Sequence, residues 1–176
     1  QTLRAHKKLI RGYDYFQASP PAIFEDLVIV GGSVSDQPTG KRGTPGDLRA
    51  YDARTGELRW TFHTVPQPGE PGSESWEEGS ASYSGAANAW AAMSVDSELG
   101  LLYAATSTPT NDYYGGHRLG DNLYAETLLC LNARTGKRVW HQQLVRHGLW
   151  DYDLAAAPNL VDVEVDGKPV RAVVQV

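Results

Sequence analysis

The stretches LRAYDARTGELRW (residues 48–60) and LLCLNARTGKRVW (residues 128–140) are two copies of one pattern. Each opens on an apolar run, turns through Asp52 or Asn132 and the tetrapeptide ARTG, and then reaches a tryptophan, Trp60 or Trp140. The turn has a mechanical reading. Asp and Asn side chains accept hydrogen bonds from the backbone N–H groups that follow them, and Gly56 and Gly136 supply the left-handed conformation of a tight hairpin. The tryptophans fall on the outgoing strand, where a large flat ring fills space between neighbouring sheets. On this reading both are scaffold residues.

Working outward, the apolar runs are short, β-branched or aromatic, and bounded by Gly, Pro, Asp and Asn, with no sustained helical period. PPAIFED leads to LVIVGG, LRAYDA and LRWTFHT; WAAMSVDSE leads to LLYAATS, TLLCLNA and RVWHQQL; PNLVDVEVDG leads to VRAVVQV. That order predicts an all-β chain of two four-stranded units and half a third. A sheet carrying such a ring buries its faces against another copy of itself, and radial repetition into a β-propeller satisfies this. The expected blades cover approximately residues 18–66 and 88–146, with a partial blade at 156–176. Long polar insertions at 63–89 and 106–126 interrupt them, and insertions of that length usually cover or line a site. The abrupt ends read as those of a segment from a longer protein.

Composition narrows the function classes. A net charge of −5 with no basic run argues against a nucleic-acid surface. The single Cys130, inside TLLCL, excludes an internal disulfide and reads as a buried, inert thiol. His63, His117, His141 and His147 lack the spacing of a zinc site, and TGKRGTPG lacks the strand-to-helix setting of a phosphate loop. Trp76, in an acidic loop, reads as lid or surface.

The segments GGSVSDQ (31–37), GAANAWAAMSVD (85–96), TSTPTNDYYGG (106–116) with GDNLYAETLL (120–129), and HGLWDYDL (147–154) are not needed for folding. In order and spacing they resemble the quinoprotein dehydrogenases, eight-bladed β-propellers that use pyrroloquinoline quinone (PQQ) and a divalent metal. Ala50-x-Asp52-x-x-Thr55-Gly56-x-x-x-Trp60 is similar to that family's tryptophan-docking motif. NAW, YYGG and WDYDL bring the likeness closer to the membrane glucose- and polyol-oxidising branch than to the methanol-oxidising one.

The resemblance implies roles for individual residues. Asp151 is the general base that takes a hydroxyl proton, dried by the neighbouring Trp150. Trp90, expected at the start of a strand, is the floor under the quinone. Asp36 is an acidic metal ligand and Thr108, beside Pro109, a second, with Thr110 as the alternative because the loop needs a gap to align; Ca²⁺ or Mg²⁺ would be the metal. His147 helps shape the site. The family's paired histidines read Arg146-His147 here, an Asp that often follows is Gly148, and Gln37 replaces an Asn. The implied activity is oxidation of an alcohol, polyol or aldose sugar by hydride transfer to the quinone. Ubiquinone or cytochrome c would be the electron acceptor, in a periplasmic and membrane-associated parent protein. The competing expectations are a non-catalytic propeller scaffold for protein–protein interaction and an inactive family member. Asp36, Trp90, Asp151 and the two insertions together favour the enzyme.

Overall fold

Alternation of apolar and polar residues between turn formers yields short antiparallel strands. The structure, a computed structural model, describes residues 15–35 and 40–176. Asp36 and Gln37 lie outside the described residues.

In chain order the strands are β1 (Tyr15–Phe16), β2 (Ala22–Phe24), β3 (Leu27–Gly31), β4 (Ser33–Val34), β5 (Leu48–Asp52), β6 (Leu58–Phe62), β7 (Ser94–Asp96), β8 (Leu101–Ala105), β9 (Thr127–Asn132), β10 (Arg138–Gln143), β11 (Asn159–Val165) and β12 (Lys168–Val174). One four-stranded antiparallel sheet runs β2-β3-β5-β6 and a second runs β7-β8-β9-β10. β11 and β12 form a hairpin, and β1 pairs with β4 in a short ribbon. Helical structure among the described residues is confined to 3-10 turns in the two insertions. Along β3, Leu27, Ile29 and Gly31 are buried while Val28 and Val30 are partly buried, so one face of the strand looks into the core.

That core lies between the two sheets. Phe24, Ile29, Leu48, Ala50 and Trp60 of the first meet Leu102, Ala104, Leu129, Leu131 and Ala133 of the second. The repeated hairpin makes the joint. Asp52 Oδ1 accepts from the N–H groups of Arg54 at 2.9 Å and Thr55 at 2.8 Å; Asn132 Oδ1 accepts from Arg134 at 3.1 Å and Thr135 at 3.0 Å. Gly56 and Gly136 have φ of 73° and 69°. The Trp60 indole, 8% exposed, reaches across to the second copy of the turn and donates Nε1–H to Ala133 O at 3.1 Å. Its ring lies over Gly136, where a Cβ would stand 2.6 Å from the indole carbons. The glycine therefore serves both the turn and the seat for the tryptophan. This is how consecutive propeller blades stack.

Trp140, at the equivalent place in the second copy, packs beside Tyr103 with ring centroids 5.9 Å apart. Cys130 is fully buried, and burial pushes its thiol up to about 11, so it stays protonated at neutral pH.

Two outcomes are expected. Trp60→Ala costs about 3–5 kcal/mol in chemical denaturation, and Gly136→Val, harmful alone, costs markedly less in the Trp60→Ala background because the ring it strikes is gone. Additive effects would mean that Trp60 is not seated on Gly136. The second outcome concerns charge in the two turns. The Thr55 N–H first, then that of Arg54, holds the Asp52 carboxyl below its ordinary 3.8. A depressed folded-state value contributes stability above pH 3.8 that is lost as pH falls through the folded value. Asp52→Asn is thus expected to lower the Tm at neutral pH, with the deficit closing in acid. Asn132→Asp should show the reverse, a gain at neutral pH that disappears over the same acid range.

Candidate active site

The two polar insertions fold onto each other. Trp76, read from its acidic neighbours as lid or surface, is 2% exposed: it packs with Val65, Ala87 and Ala125 and donates Nε1–H to Leu123 O at 3.1 Å. Its acidic neighbours face outward while the ring pins the first insertion against the second. Residues 85–88 run beside 107–110 through backbone bonds from Ala87 N to Thr108 O at 3.2 Å, Ser107 N to Asn88 O at 3.0 Å and Thr110 N to Gly85 O at 3.1 Å. Asn88 extends the seam to the first sheet, donating Nδ2–H to Gly32 O at 2.9 Å while its own N–H and Oδ1 both bond the Ser107 hydroxyl. Every polar group of this buried asparagine is used, which fixes the spacing of the segments on either side.

Where these segments meet the loop after β10, a cleft of about 520 Å³ opens. Phe16 and Ala18 line it from the β1 side, Ser33 and Val34 from β4, and Ala86, Asn88 and Trp90 from the first insertion. Ser107, Thr108 and Asp112 contribute from the second insertion, and Asp151, Tyr152, Asp153 and Ala155 from the loop after β10. Residues far apart in sequence thus share one wall. The Ser33 hydroxyl is buried against the cleft and bonds none of the described residues.

Of the three aspartates that line the cleft, Asp151 and Asp153 share one loop and are in different states. Asp153 is fully engaged: Oδ2 accepts from Trp90 Nε1–H at 2.6 Å and Oδ1 from Thr108 N–H at 2.7 Å. Burial pushes its carboxyl above the ordinary range, and the bonds from Thr108 and Trp90 pull the other way. Asp151 sits two residues earlier in a left-handed conformation, φ 56°, which Asp tolerates better than most residues. Its Oδ2 accepts from the Tyr113 hydroxyl at 3.1 Å.

Of the sequence-predicted residues, Trp90, Thr108 and Asp151 all line the cleft. Thr110, the alternative to Thr108, does not; its side chain packs on Gly43. Two expectations need correction. Trp90 precedes its strand, which begins at Ser94, because its ring and backbone are held by contacts outside the sheet. Trp150 does not dry Asp151: it is 72% exposed and lies off the cleft wall, and the carboxylate that burial desolvates is Asp153. His147 stands behind the cleft wall: its Nδ1 bonds Gly120 O at 2.8 Å and its ring packs on Gly115, tying the loop that carries Asp151 to the second insertion.

Sequence reasoning missed Glu126 and Arg118, and the reason Gly148 is a glycine. Glu126 is fully buried, and desolvation raises its carboxyl to about 7, opposed first by the Thr108 hydroxyl, which donates to Oε1 at 3.2 Å, and then by the Arg118 charge. The Glu126 carboxyl occupies the space beside Gly148, where a Cβ would stand 1.9 Å from Oε2. Arg118, also fully buried, donates to Gly148 O at 2.7 Å, Asn111 O at 2.8 Å and Asn122 Oδ1 at 2.9 Å; burial lowers its pKa to about 10, leaving it charged. GGHRLGDN and YAETLL look like ordinary loop and strand residues in one dimension, and only the glycine at position 148 hinted at a crowded neighbour.

The comparisons with known proteins agree on one family. Residues 2–176 match the family model "PQQ: Glucose/ethanol/alcohol dehydrogenase, beta-propeller domain". The chain belongs to this family. The quinoprotein glucose dehydrogenase of Escherichia coli (strain K12) is 38% identical over 160 residues, which cover 90% of this chain and 20% of that protein. The glycerol dehydrogenase large subunit of Gluconobacter oxydans (strain 621H) is 34% identical over 89% of this chain and 21% of its own length. Among solved structures, a quinohemoprotein alcohol dehydrogenase from Pseudomonas putida HK5 superposes with a TM-score of 0.80 at 29% identity, over 92% of this chain and 25% of the other. The chain therefore spans about a fifth to a quarter of the length of these relatives.

The crowding at position 148 gives this family member its own test. Gly148→Asp, which installs the residue that often stands there in the family, drives a second carboxylate into Glu126. It is expected to lower the Tm by several degrees, the effect of a core change costing roughly 1–3 kcal/mol. Most of the loss should return in Gly148→Asp/Glu126→Ala. A neutral Gly148→Asp would show that Glu126 does not fill this space.

Proposed function

We propose that this chain forms part of a PQQ-dependent dehydrogenase that oxidises an alcohol, polyol or aldose sugar. The observation that carries the reading is the cleft in which an indole, a fully engaged carboxylate and a second, more open carboxylate meet. The lining suits a flat, oxygen-rich aromatic ligand. Its size is within the range of small-ligand sites, the Trp90 ring offers a stacking face, and Ser33 presents a buried hydroxyl still lacking a partner among the described residues. Identities are 38% to a glucose dehydrogenase, 36% to a quinate/shikimate dehydrogenase, 34% to a glycerol dehydrogenase and 32% to a quinohemoprotein alcohol dehydrogenase, so the substrate class proposed spans sugars, polyols and alcohols.

PQQ, when bound, would supply the two-electron acceptor for the hydride of the carbinol carbon. Asp151 takes the accompanying hydroxyl proton on a carboxylate oxygen. Asp153 is poorly placed for that task because both its oxygens already accept hydrogen bonds, whereas Asp151 accepts at Oδ2 from the phenol of an exposed tyrosine. Tyr113 steadies the base without burying it.

For Ca²⁺ or Mg²⁺ the proposed oxygen donors are Asp36 and Thr108. Thr108 lines the cleft, and its hydroxyl donates to Glu126 Oε1. Re-oxidation by ubiquinone or cytochrome c in the periplasm completes the proposal.

The test uses the intact parent protein purified without cofactor. Dye reduction with glucose and a panel of polyols and alcohols is expected only when both PQQ and Ca²⁺ or Mg²⁺ are supplied. Asp151→Asn should lower kcat by at least about 10²-fold, the worth of a positioned general base, without loss of PQQ binding. Dye reduction without PQQ, or full activity in Asp151→Asn, would overturn the assignment.

A further inference from the structure

Asp153, on the loop that carries the proposed base, has no task in this reaction. It lies two positions from the proposed base, yet its contacts are of another kind. Its two oxygens take two donors from different parts of the chain: the indole N–H of Trp90, at the end of the first insertion, and the backbone N–H of Thr108, in the second. At 2.6 and 2.7 Å both bonds have the length of charge-assisted contacts. The Trp90 backbone carbonyl is held separately by the Ser19 hydroxyl, so the main chain and the ring of this tryptophan are anchored at different points. An indole on a fixed backbone keeps two free torsions and carries a single hydrogen-bond donor. A bond to that donor therefore sets the plane of the ring.

We propose that Asp153 is a positioning residue that fixes the Trp90 indole plane for an aromatic ligand and holds that floor at a set distance from the loop carrying Asp151. The proposal rests on the PQQ reading for the identity of the ligand, but the bond itself is a property of the protein without ligand. Thr108 explains why an ionised carboxylate is used. One oxygen serves the floor, the other the insertion wall, so a single group ties its own loop to two cleft segments that lie 63 and 45 residues away in sequence. A neutral amide would put its NH2 group, itself a donor, where one of these two oxygens now accepts. The role is accordingly one of affinity and geometry, acting through Trp90, while proton abstraction stays with Asp151.

The experiment compares the intact parent protein, free of cofactor, with Asp153→Asn, Trp90→Phe and the double variant, first confirming folding by thermal melts. PQQ affinity is measured by equilibrium dialysis in the presence of Ca²⁺. The indole N–H band of Trp90 is isolated by ultraviolet resonance Raman difference spectra against Trp90→Phe. Asp153→Asn is expected to weaken PQQ binding by about tenfold, the worth of one hydrogen bond to a charged group, and to shift the Trp90 band toward a weaker hydrogen bond. In the Trp90→Phe background, where no donor remains, the same substitution should change PQQ affinity little. An equal loss in both backgrounds would overturn the proposal, as would an unshifted Trp90 band in folded Asp153→Asn.

If Asp153→Asn fails to fold, the wild-type spectrum still decides. A Trp90 band at the position of a strongly hydrogen-bonded indole supports the bond, and one at the free position overturns it. Wild-type protein that does not bind PQQ at all would sink the proposed function, while the Raman comparison would still report on Asp153 by itself.

Discussion

The Trp60 indole seated on the second ARTG turn is the contact on which the remaining geometry depends. Neither sheet can bury its inner face alone, because a single four-stranded sheet has nothing to cover it. Trp60 solves this with one side chain that gives the joint its area, its ring lying over Gly136, and its direction, its N–H reaching Ala133 O. Area alone would let two β faces slide, since dispersion has no preferred register. The directional bond and the close seat on a glycine remove that freedom. With the sheets registered, the β1–β4 ribbon and the segments flanking β7 and β8 arrive on the same side, and the cleft forms between them.

A second layer of constraint comes from polar groups buried inside the insertions. A loop taken out of water must satisfy its backbone, and here side chains do so across segments: Asn88 bonds Gly32 and Ser107, and Arg118 bonds Asn111, Asn122 and Gly148. Such ties are directional and fail all at once if a segment shifts. They suit loops that must hold shape around a ligand without the support of a sheet. Glu126 shows what this entails: it is desolvated strongly enough to raise its carboxyl to about 7 and crowds position 148 so that no side chain fits there. The departure from the family pattern at Gly148 is thus a packing matter, settled by a glutamate twenty-two residues earlier.

The loop after β10 carries two aspartates whose surroundings separate them. Asp153 is surrounded by donors and drawn into the wall; Asp151, held in a left-handed turn, meets a phenol and the open cleft. Two like carboxylates placed two residues apart can serve different ends because the turn between them points one inward and leaves the other at the edge. Environment, not residue type, divides the labour.

Much of the fold was legible in the sequence. The ARTG turns, their Asx bonds, the positive-φ glycines, the strand order and the docking tryptophan all follow from interactions within a few residues or from a pattern repeated along the chain, and such local rules survive translation into structure. Trp90, Thr108 and Asp151 were legible as members of a shared cleft only through their resemblance to family segments, and Asp36 falls outside the described residues. The roles of Trp76, Arg118, Glu126 and Asp153 were not legible. An acidic loop can hide a buried ring, an arginine in a glycine-rich stretch looks solvated, and Asp151 and Asp153 look alike in one dimension. What sets each of these apart is the distance to groups tens of residues away and the water removed when they meet, and those quantities exist only once the two sheets and their insertions have packed. The sequence by itself determined the repeat, the turns and the joint between the sheets; the tertiary structure decided which polar groups are dry, which are paired and which stay open to a substrate.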